Sequence, residues 1–308
     1  MVCVIIDSGI KKEIIAKNII EKKAIFEKDN QIVIGEDAED YYGHGTACYS
    51  IINKYYQYAS FVILKIADYG ISTISKLKAA LEYCYGIECN VINISMAVIG
   101  EGCHELDEII ERLVFEHNVK IVASYPNGEK DGYPANSPYV WGIDGEVVGA
   151  TDWVVKRRKK RAKDLTLNIV PEVTERENRN YYFFGGNSKA TAIASALMMQ
   201  QIEAKVIEDK LFKSNKNRGL KLEQYIEKNK EKGFYNNESL KQLLEIEDNN
   251  ENDVLINKGT ASPNELLHIV ERLEDRYNIT IDDENIAFSD FLTLNNLNKL
   301  VRRNGGCV

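Results

Sequence analysis

The feature of this sequence that most constrains its fold is an alternation of apolar, β-type runs with segments of helical periodicity. Strands that alternate with helices in this way are typical of a parallel sheet covered by helices on both faces. We therefore expect an α/β fold. The segments are the strands 2–6, 61–66, 90–95 and 119–124 and the helices 71–85 and 105–117.

Four polar residues stand where strands of this pattern end or helices begin. Asp7 follows the first apolar run, and Asn127 follows the run that ends at residue 124. His44 lies between two glycines and opens an apolar-periodic helix, while Ser188 follows a glycine pair at the first turn of a helix of small residues. Ligands and catalytic groups collect at the carboxyl ends of such strands, and a helix N-terminus favours developing negative charge. These positions are therefore candidate site residues.

Each of the four residues also has an ordinary structural interpretation. Serine is among the residues that most often cap a helix, and asparagine commonly forms turns. A lone histidine is usually structural. These alternatives stay open for each residue taken alone.

The motifs taken together, in the order Asp, His, Asn, Ser, resemble those of the subtilisin-like serine proteases. The family's Asp motif is similar to residues 6–9, its His motif to residues 43–46 and its Ser motif to residues 186–190. The resemblance implies a subtilisin-like parallel sheet with helices on both faces. It also implies a triad of Asp7, His44 and Ser188, with Asn127 in the oxyanion hole, and it implies no metal and no cofactor.

The same resemblance implies where a peptide substrate binds. The chain after a strand such as 91–95 lies beside the substrate backbone in this family, so Ser95, Met96 and Ala97 are expected to pair with an extended peptide. Gly132 is similar to the family segment at the base of the pocket for the residue before the scissile bond. Glu129 and Asp131 would favour a basic side chain there, or are simply solvated.

The chain departs from the family pattern close to the proposed nucleophile. Asn187 precedes Ser188 where the family usually has threonine, Pro126 replaces a small residue, and Ala192 and Ile193 replace the usual Pro-His pair. None of these changes removes a proton-transfer group. We interpret them as an altered entrance and a narrower substrate range.

Composition restricts the partners and the compartment. A net charge of −8 argues against nucleic acid or an anionic membrane as the main partner, and no apolar stretch has the length of a membrane span. The six cysteines show no CxxC pair or other metal-ligand spacing, and the sequence shows no secretion signal at its start. We therefore expect reduced thiols and a cytoplasmic protein.

The most concentrated charge run in the chain is the polybasic segment 156–163. Its position between two apolar segments predicts a surface hairpin. Three interpretations stay open: a solvated loop, a docking patch for an acidic substrate segment, and a self-cleavage site.

Composition also changes along the chain, and it predicts a protease domain over residues 1–209, a polar linker over 210–238 and a helical domain over 239–308. The last region resembles the second half of acyl or peptidyl carrier domains. At the position where carriers attach phosphopantetheine to serine, the alignment places Pro263, with Ser262 one residue before it. We therefore favour a docking module without the prosthetic group. The alternative is a plain helical appendage.

Two functions of different classes follow from these patterns. The first is an intracellular serine endopeptidase that processes a specific peptide or protein, for example by removing a leader peptide, with the C-terminal region as recruitment module. The second is a catalytically silent peptide-binding protein on the same scaffold.

Overall fold

The computed structural model divides the chain into two compact units. The first contains Met1–Ile169 and Gly185–Gly219, and the second contains Val170–Phe184 and Leu220–Val308. The residues that the structure describes are 1–68, 72–97, 103–127, 132–157, 163–174, 182–205, 219–233, 235–244, 265–282 and 286–307.

Nine strands of the described chain form one sheet in the first unit, in the order β3-β2-β4-β1-β5-β6-β7-β9-β8. Neighbouring strands from β2 to β9 run parallel, and the two edge strands, β3 and β8, pair antiparallel. The mostly parallel sheet confirms the predicted α/β class. The strands are β1 Val2–Asp7, β2 Ile19–Lys28, β3 Gln31–Gly35, β4 Ser60–Lys65, β5 Val91–Ile94, β6 Lys120–Ser124, β7 Trp141–Glu146, β8 Trp153–Arg157 and β9 Lys163–Asn168.

Four α-helices in the described part of the first unit cover the two faces of this sheet. They are α1 His44–Tyr55, α2 Ile74–Tyr85, α3 Asp107–Phe115 and α4 Gly186–Glu203. Successive residues of a strand point to opposite faces. The side chains of Ile92 and Ile94 accordingly join the apolar cluster under α2 and α3, whereas Asn93 faces α4.

The buried first strand determines where Asp7 lies. Every residue of β1 after Val2 is buried, because β4 pairs with one side of this strand and β5 with the other. An apolar run without polar alternation is the pattern of a strand covered on both faces. Asp7 therefore stands at the carboxyl end of a central strand.

Some elements differ from the sequence-based expectation. The sequence pattern of residues 11–25 predicts a short helical or irregular connection that runs into a strand, whereas β2 begins at Ile19 and continues to Lys28. The sequence pattern predicts a strand over residues 146–151, but β7 ends at Glu146. It also predicts that the helix after Ser188 continues to about residue 209, but α4 ends at Glu203. The antiparallel pair of β8 and β9 flanks the polybasic segment, of which residues 158–162 lie outside the described chain.

The second unit combines a short hairpin with helices from the C-terminal region. Its apolar core includes Phe183, Ile226 and Leu297, so the hairpin and the described part of the expected linker both contribute to it. The sequence predicts that residues 170–184 belong to the protease domain 1–209 and residues 220–238 to the linker 210–238. The elements of the second unit in the described residues are β10 Glu172–Thr174, β11 Tyr182–Phe184, α5 Leu222–Asn229, α6 Glu238–Leu243, α7 Glu265–Tyr277, a 3-10 turn Phe288–Phe291 and α8 Leu294–Arg303.

None of the helices in the described ranges has the length and the apolar character needed to cross a membrane.

Candidate active site

The site begins with a hydrogen bond between Asp7 and His44. Asp7 is 2% exposed at the end of β1, and its Oδ1 lies 2.8 Å from Nδ1 of His44, the first residue of α1. The backbone N–H of Ser8 donates to the same oxygen at 2.8 Å. Because a carboxylate only accepts, Nδ1 of His44 carries the proton and Nε2 is left as the basic nitrogen.

The charge of Asp7 also sets the proton affinity of His44. Burial of the ring works against the charged form, but the Asp7 carboxylate and the hydrogen bond to it outweigh burial and hold the pKa of His44 well above its usual 6.5. The pair therefore favours imidazolium, which is the state that forms when a histidine accepts a proton from a nucleophile.

A second carboxylate, Asp40, joins the Asp7 turn to the start of α1. Its Oδ1 accepts hydrogen bonds from Ser8 Oγ at 2.8 Å and from the Gly43 N–H at 2.6 Å. Its Oδ2 accepts from the backbone N–H and the hydroxyl of Thr46, at 2.9 and 2.6 Å. Burial opposes ionisation, but these hydrogen bonds prevail and lower the pKa of Asp40. Asp40 therefore caps α1 and fixes the backbone that carries His44.

Ser188 lies in the first turn of α4, as predicted from the glycine pair. Its Oγ donates to the backbone oxygen of Ser95 at 3.2 Å, and Ser95 Oγ donates to the backbone oxygen of Ser188 at 3.4 Å. The structure thus brings the proposed nucleophile against the first of the three residues predicted to bind the substrate backbone.

Asn127 reaches the same helix start from the end of β6. Its Oδ1 accepts the Asn187 N–H at 3.0 Å, and the Asn187 side chain donates to the backbone oxygen of Tyr125 at 3.0 Å. Only the amide oxygen can accept from an N–H, so the orientation of Asn127 is fixed and its amide nitrogen is the donor available to a ligand. Gly186 has φ +70°, and a Cβ there would lie 3.1 Å from Asn127 Oδ1, which explains the glycine.

Cys48 lies against the pair of Asp7 and His44. Its Sγ lies 3.7 Å from Asp7 Oδ2 and 3.9 Å from His44 Nδ1. Burial raises the pKa of this thiol. Asp7, His44 and Cys48 offer ligand atoms within 4.8 Å of one another, so the group has the spacing of a metal site. A metal there would take the place of the proton on Nδ1, and a raised thiol pKa favours the protonated form, which is not a ligand.

The predicted substrate-binding residues also come together. A Cβ placed on Gly132 would lie 3.2 Å from Cβ of Ala97 and 2.5 Å from Cδ of Pro126. Ser95 and Gly132 are buried, whereas Met96 and Ala97 are partly exposed beside them. Glu129 and Asp131, expected near this pocket, lie outside the described residues, as do Ser262 and Pro263.

Three polar residues of this region belong to none of the motifs in the sequence. Asp40 ends the acidic stretch 36–40 and lies outside the N-cap position of α1, which Gly43 occupies, so no capping pattern in the sequence marks its contacts with this helix. Asn93 and Ser195 were read as parts of a strand and a helix. Both are fully buried, and they hydrogen-bond each other at 3.0 Å.

Solved structures with a similar fold include a subtilisin-like serine proteinase. The crystal structure of a cold-adapted subtilisin-like serine proteinase superposes with a TM-score of 0.51 at 14% sequence identity, over 66% of this chain and 75% of that one. The fold is subtilisin-like. No protein-family model and no curated protein sequence matches the chain. A likeness at 14% identity shows the fold alone.

Proposed function

We propose that the protein is a serine endopeptidase that hydrolyses peptide bonds with Ser188, His44 and Asp7. The observation that carries the proposal is the 2.8 Å hydrogen bond from His44 to a buried Asp7, in a site that also holds a serine at a helix start and an oriented asparagine. Each of these groups has an ordinary structural role alone. Their position at one edge of the sheet in a subtilisin-like fold supports a shared catalytic role.

In the proposed reaction the Ser188 hydroxyl leaves Ser95 O, donates its proton to Nε2 of His44 and attacks a peptide carbonyl. Asp7 holds the imidazole tautomer and stabilises the cation. The Asn127 amide and the Ser188 N–H donate to the oxyanion, and His44 then protonates the leaving amine. Water, activated by the same histidine, hydrolyses the acyl-enzyme.

The proposed substrate is a specific peptide or protein in extended form, bound as an added strand beside Ser95, Met96 and Ala97. Removal of a leader peptide is one such processing reaction. Cleavage in a reducing compartment such as the cytoplasm agrees with the free thiols of Cys3, Cys48, Cys84, Cys89 and Cys307. In this proposal the second unit recruits the substrate, and a carrier-like fold without phosphopantetheine suits that role.

Labelling with a fluorophosphonate probe tests the proposal, because the probe phosphonylates only an activated serine. We expect the wild type to react and Ser188→Ala to be inert, with His44→Ala and Asp7→Asn each losing most of the reactivity and of the hydrolysis of a peptide library. Since triad members act as a unit, combining these changes costs little more than the worst of them. Ser50→Ala is the control, because among the described residues this hydroxyl donates within α1, to Thr46 O at 3.0 Å.

The alternative is a catalytically silent protein that captures peptides on this scaffold. It predicts peptide binding without cleavage, and no difference in probe labelling between wild type and Ser188→Ala. That result would replace the endopeptidase proposal.

A further inference from the structure

A chain of buried hydrogen bonds runs beneath the proposed nucleophile. Ser195 follows Ser188 by seven residues, which is two turns along the same face of α4. Its Oγ lies 3.0 Å from two acceptors, Asn93 Oδ1 and the backbone oxygen of Thr191, and it donates to Asn93 in this chain of hydrogen bonds. Asn93 Nδ2 donates to Ser95 Oγ at 3.0 Å. Ser95 Oγ in turn donates to the Ser188 backbone oxygen at 3.4 Å. Each group donates to the next, so the chain has one consistent direction from Ser195 to Ser188.

This chain lies in a part of the molecule where polar groups are costly. Asn93 and Ser195 are both 0% exposed, and Ser95 is 5% exposed. The neighbours of Asn93 in β5, Ile92 and Ile94, are completely buried apolar residues. A buried amide has to be fully hydrogen-bonded to avoid a large desolvation penalty, whereas an apolar side chain carries none. Packing of β5 against α4 alone therefore gives no reason for an amide at this position.

The geometry gives a reason in Ser95, whose side chain is the last one in this series of hydrogen bonds before the Ser188 backbone. Ser95 belongs to the segment expected to bind the substrate backbone, and its own carbonyl accepts the Ser188 hydroxyl at 3.2 Å. A shift of Ser95 relative to α4 therefore changes the position of the substrate and of the nucleophile at once. Misplacement of reacting groups by about 1 Å costs on the order of 10²-fold in rate.

We propose that Asn93 and Ser195 are positioning residues that hold the substrate-binding edge at Ser95 in register with Ser188. The proposal rests on the endopeptidase function above. Neither side chain contacts the reacting atoms. Asn93 acts on Ser95 by its hydrogen bond, and Ser195 acts on Asn93.

The test separates a positioning role from a purely structural role by comparing the wild type with a variant of similar stability. In Asn93→Leu/Ser195→Ala both partners of the buried bond become apolar, so the free energy of unfolding in urea is expected to stay close to that of the wild type. The probe-labelling rate and kcat are nevertheless expected to fall about 10- to 100-fold, with a smaller change in KM. A double variant of wild-type stability that also labels at the wild-type rate would overturn the proposal.

A milder pair of variants covers the case in which the double variant does not fold. Ser195→Ala leaves Asn93 Oδ1 without this donor and is expected to slow labelling, whereas Ser195→Thr keeps a hydroxyl and is expected to restore it. Equal labelling rates in wild type, Ser195→Ala and Ser195→Thr would contradict a positioning role.

Hydrogen exchange distinguishes failure of this inference from failure of the proposed function. We expect faster amide exchange in peptides covering residues 93–97 and 186–190 of Ser195→Ala, with unchanged exchange in β4, and this readout needs no activity. If the wild type does not label, the endopeptidase proposal fails and exchange still decides whether the chain holds Ser95. Unchanged exchange in both peptides counts against positioning whatever the activity.

Discussion

The ionisation of His44 is the property of a single residue that most directly controls the proposed activity. Only the neutral ring can accept the Ser188 proton, and its raised pKa keeps it protonated further into the alkaline range than a free histidine. We expect the probe-labelling rate to be low at acidic pH and still rising above neutrality. Asp7→Asn removes the charge that raises the pKa and is expected to shift this profile to lower pH at a much reduced rate. A wild-type rate that is already constant below pH 6.5, the usual pKa of histidine, would contradict the assignment.

The same pKa has the opposite effect on folding. A pKa raised in the folded state contributes stability that is complete below the unfolded value and is lost as the pH rises through the folded value. The ion pair of His44 with Asp7 therefore stabilises the protein where the base is protonated and inactive. Activity and this part of the stability change in opposite directions with pH.

Asp40 is expected to make folding sensitive to acid. Its pKa is lowered in the folded state, so its contribution to stability is present above its unfolded pKa of about 3.8 and is lost as the pH falls through the folded value. Asp40→Asn places an amide against donors such as the Thr46 N–H, which we expect to cost about 1–3 kcal/mol at neutral pH. Urea unfolding of both proteins between pH 3 and 7 measures the effect. If the difference between them does not shrink toward pH 3, Asp40 does not carry this dependence.

At the scale of single residues, the sequence predicts the site residues that belong to recognisable motifs. It does not predict residues whose proposed role depends on contacts formed only in the folded protein. Asp7, His44, Asn127 and Ser188 stand beside glycines or at strand ends, which are visible in the sequence. Asn93 and Ser195 lie inside regular elements, and only the packing of α4 on β5 brings them into contact. Nothing in the spacing of two residues 102 positions apart indicates a hydrogen bond.

Among the elements, α1 depends on a close approach to the Asp7 turn. A Cβ on Gly45 would lie 2.3 Å from Gly9 O and 3.2 Å from Asp7 Cβ, so Gly45→Ala is expected to push α1 away. Alanine favours a helix by about 1 kcal/mol over glycine, yet we expect a lower melting temperature and at least a ~10-fold loss of labelling. Both are measured on one sample, by thermal unfolding and by the probe.

Gly86→Ala at the end of α2 is the matched control. The residue has φ −86°, and its nearest neighbour to an added Cβ is Tyr83 O at 3.5 Å, which is ordinary contact. Alanine there is expected to stabilise the protein by about 0.4–1 kcal/mol, because it restricts the unfolded chain. Similar melting temperatures for the two variants would show that α1 tolerates the added methyl group.

The elements that the sequence predicted well are those with a strong local pattern. Strands with a continuous apolar centre, such as β1, β4 and β6, have clear limits, and α2 begins close to its expected start. The long strand β2 was predicted only in part. The first five residues of β2 alternate between partly buried and exposed. The strand forms by pairing with β4, which is more than 30 residues away in the sequence.

On the scale of the whole molecule, the two units share the chain in a way that affects truncation. The sequence predicts a protease domain that ends at residue 209, but Phe183 belongs to the core of the second unit, where its ring packs on Phe288 and Phe291 at 5.6 and 5.4 Å. A chain of residues 1–209 keeps the hairpin and loses these partners. Exposing a buried phenylalanine costs about 1.5–3 kcal/mol, and we expect this fragment to aggregate in size-exclusion chromatography.

A second fragment shows whether the hairpin is responsible. The Gly186 N–H donates to Ile169 O at 3.2 Å, so the chain enters and leaves the hairpin at adjacent points. Replacing residues 170–184 in the 1–209 fragment by a short glycine-serine link is expected to give a monomer that reacts with the probe, because the proposed triad lies in the first unit. If 1–209 with its natural hairpin is monomeric and equally reactive, the hairpin does not need the second unit.

This division of the chain also determines the order in which parts of the two units are synthesised on the ribosome. The hairpin with Phe183 is synthesised before the residues from 220 to 301 that bury it, and this later stretch takes on the order of 10 s to emerge. α4, with the proposed nucleophile, follows the hairpin and completes the central packing of the first unit during that interval. The nascent protein therefore passes through a stage in which the strands of its sheet can pair while the apolar hairpin is not yet buried. A chaperone that binds aromatic segments would act at that stage.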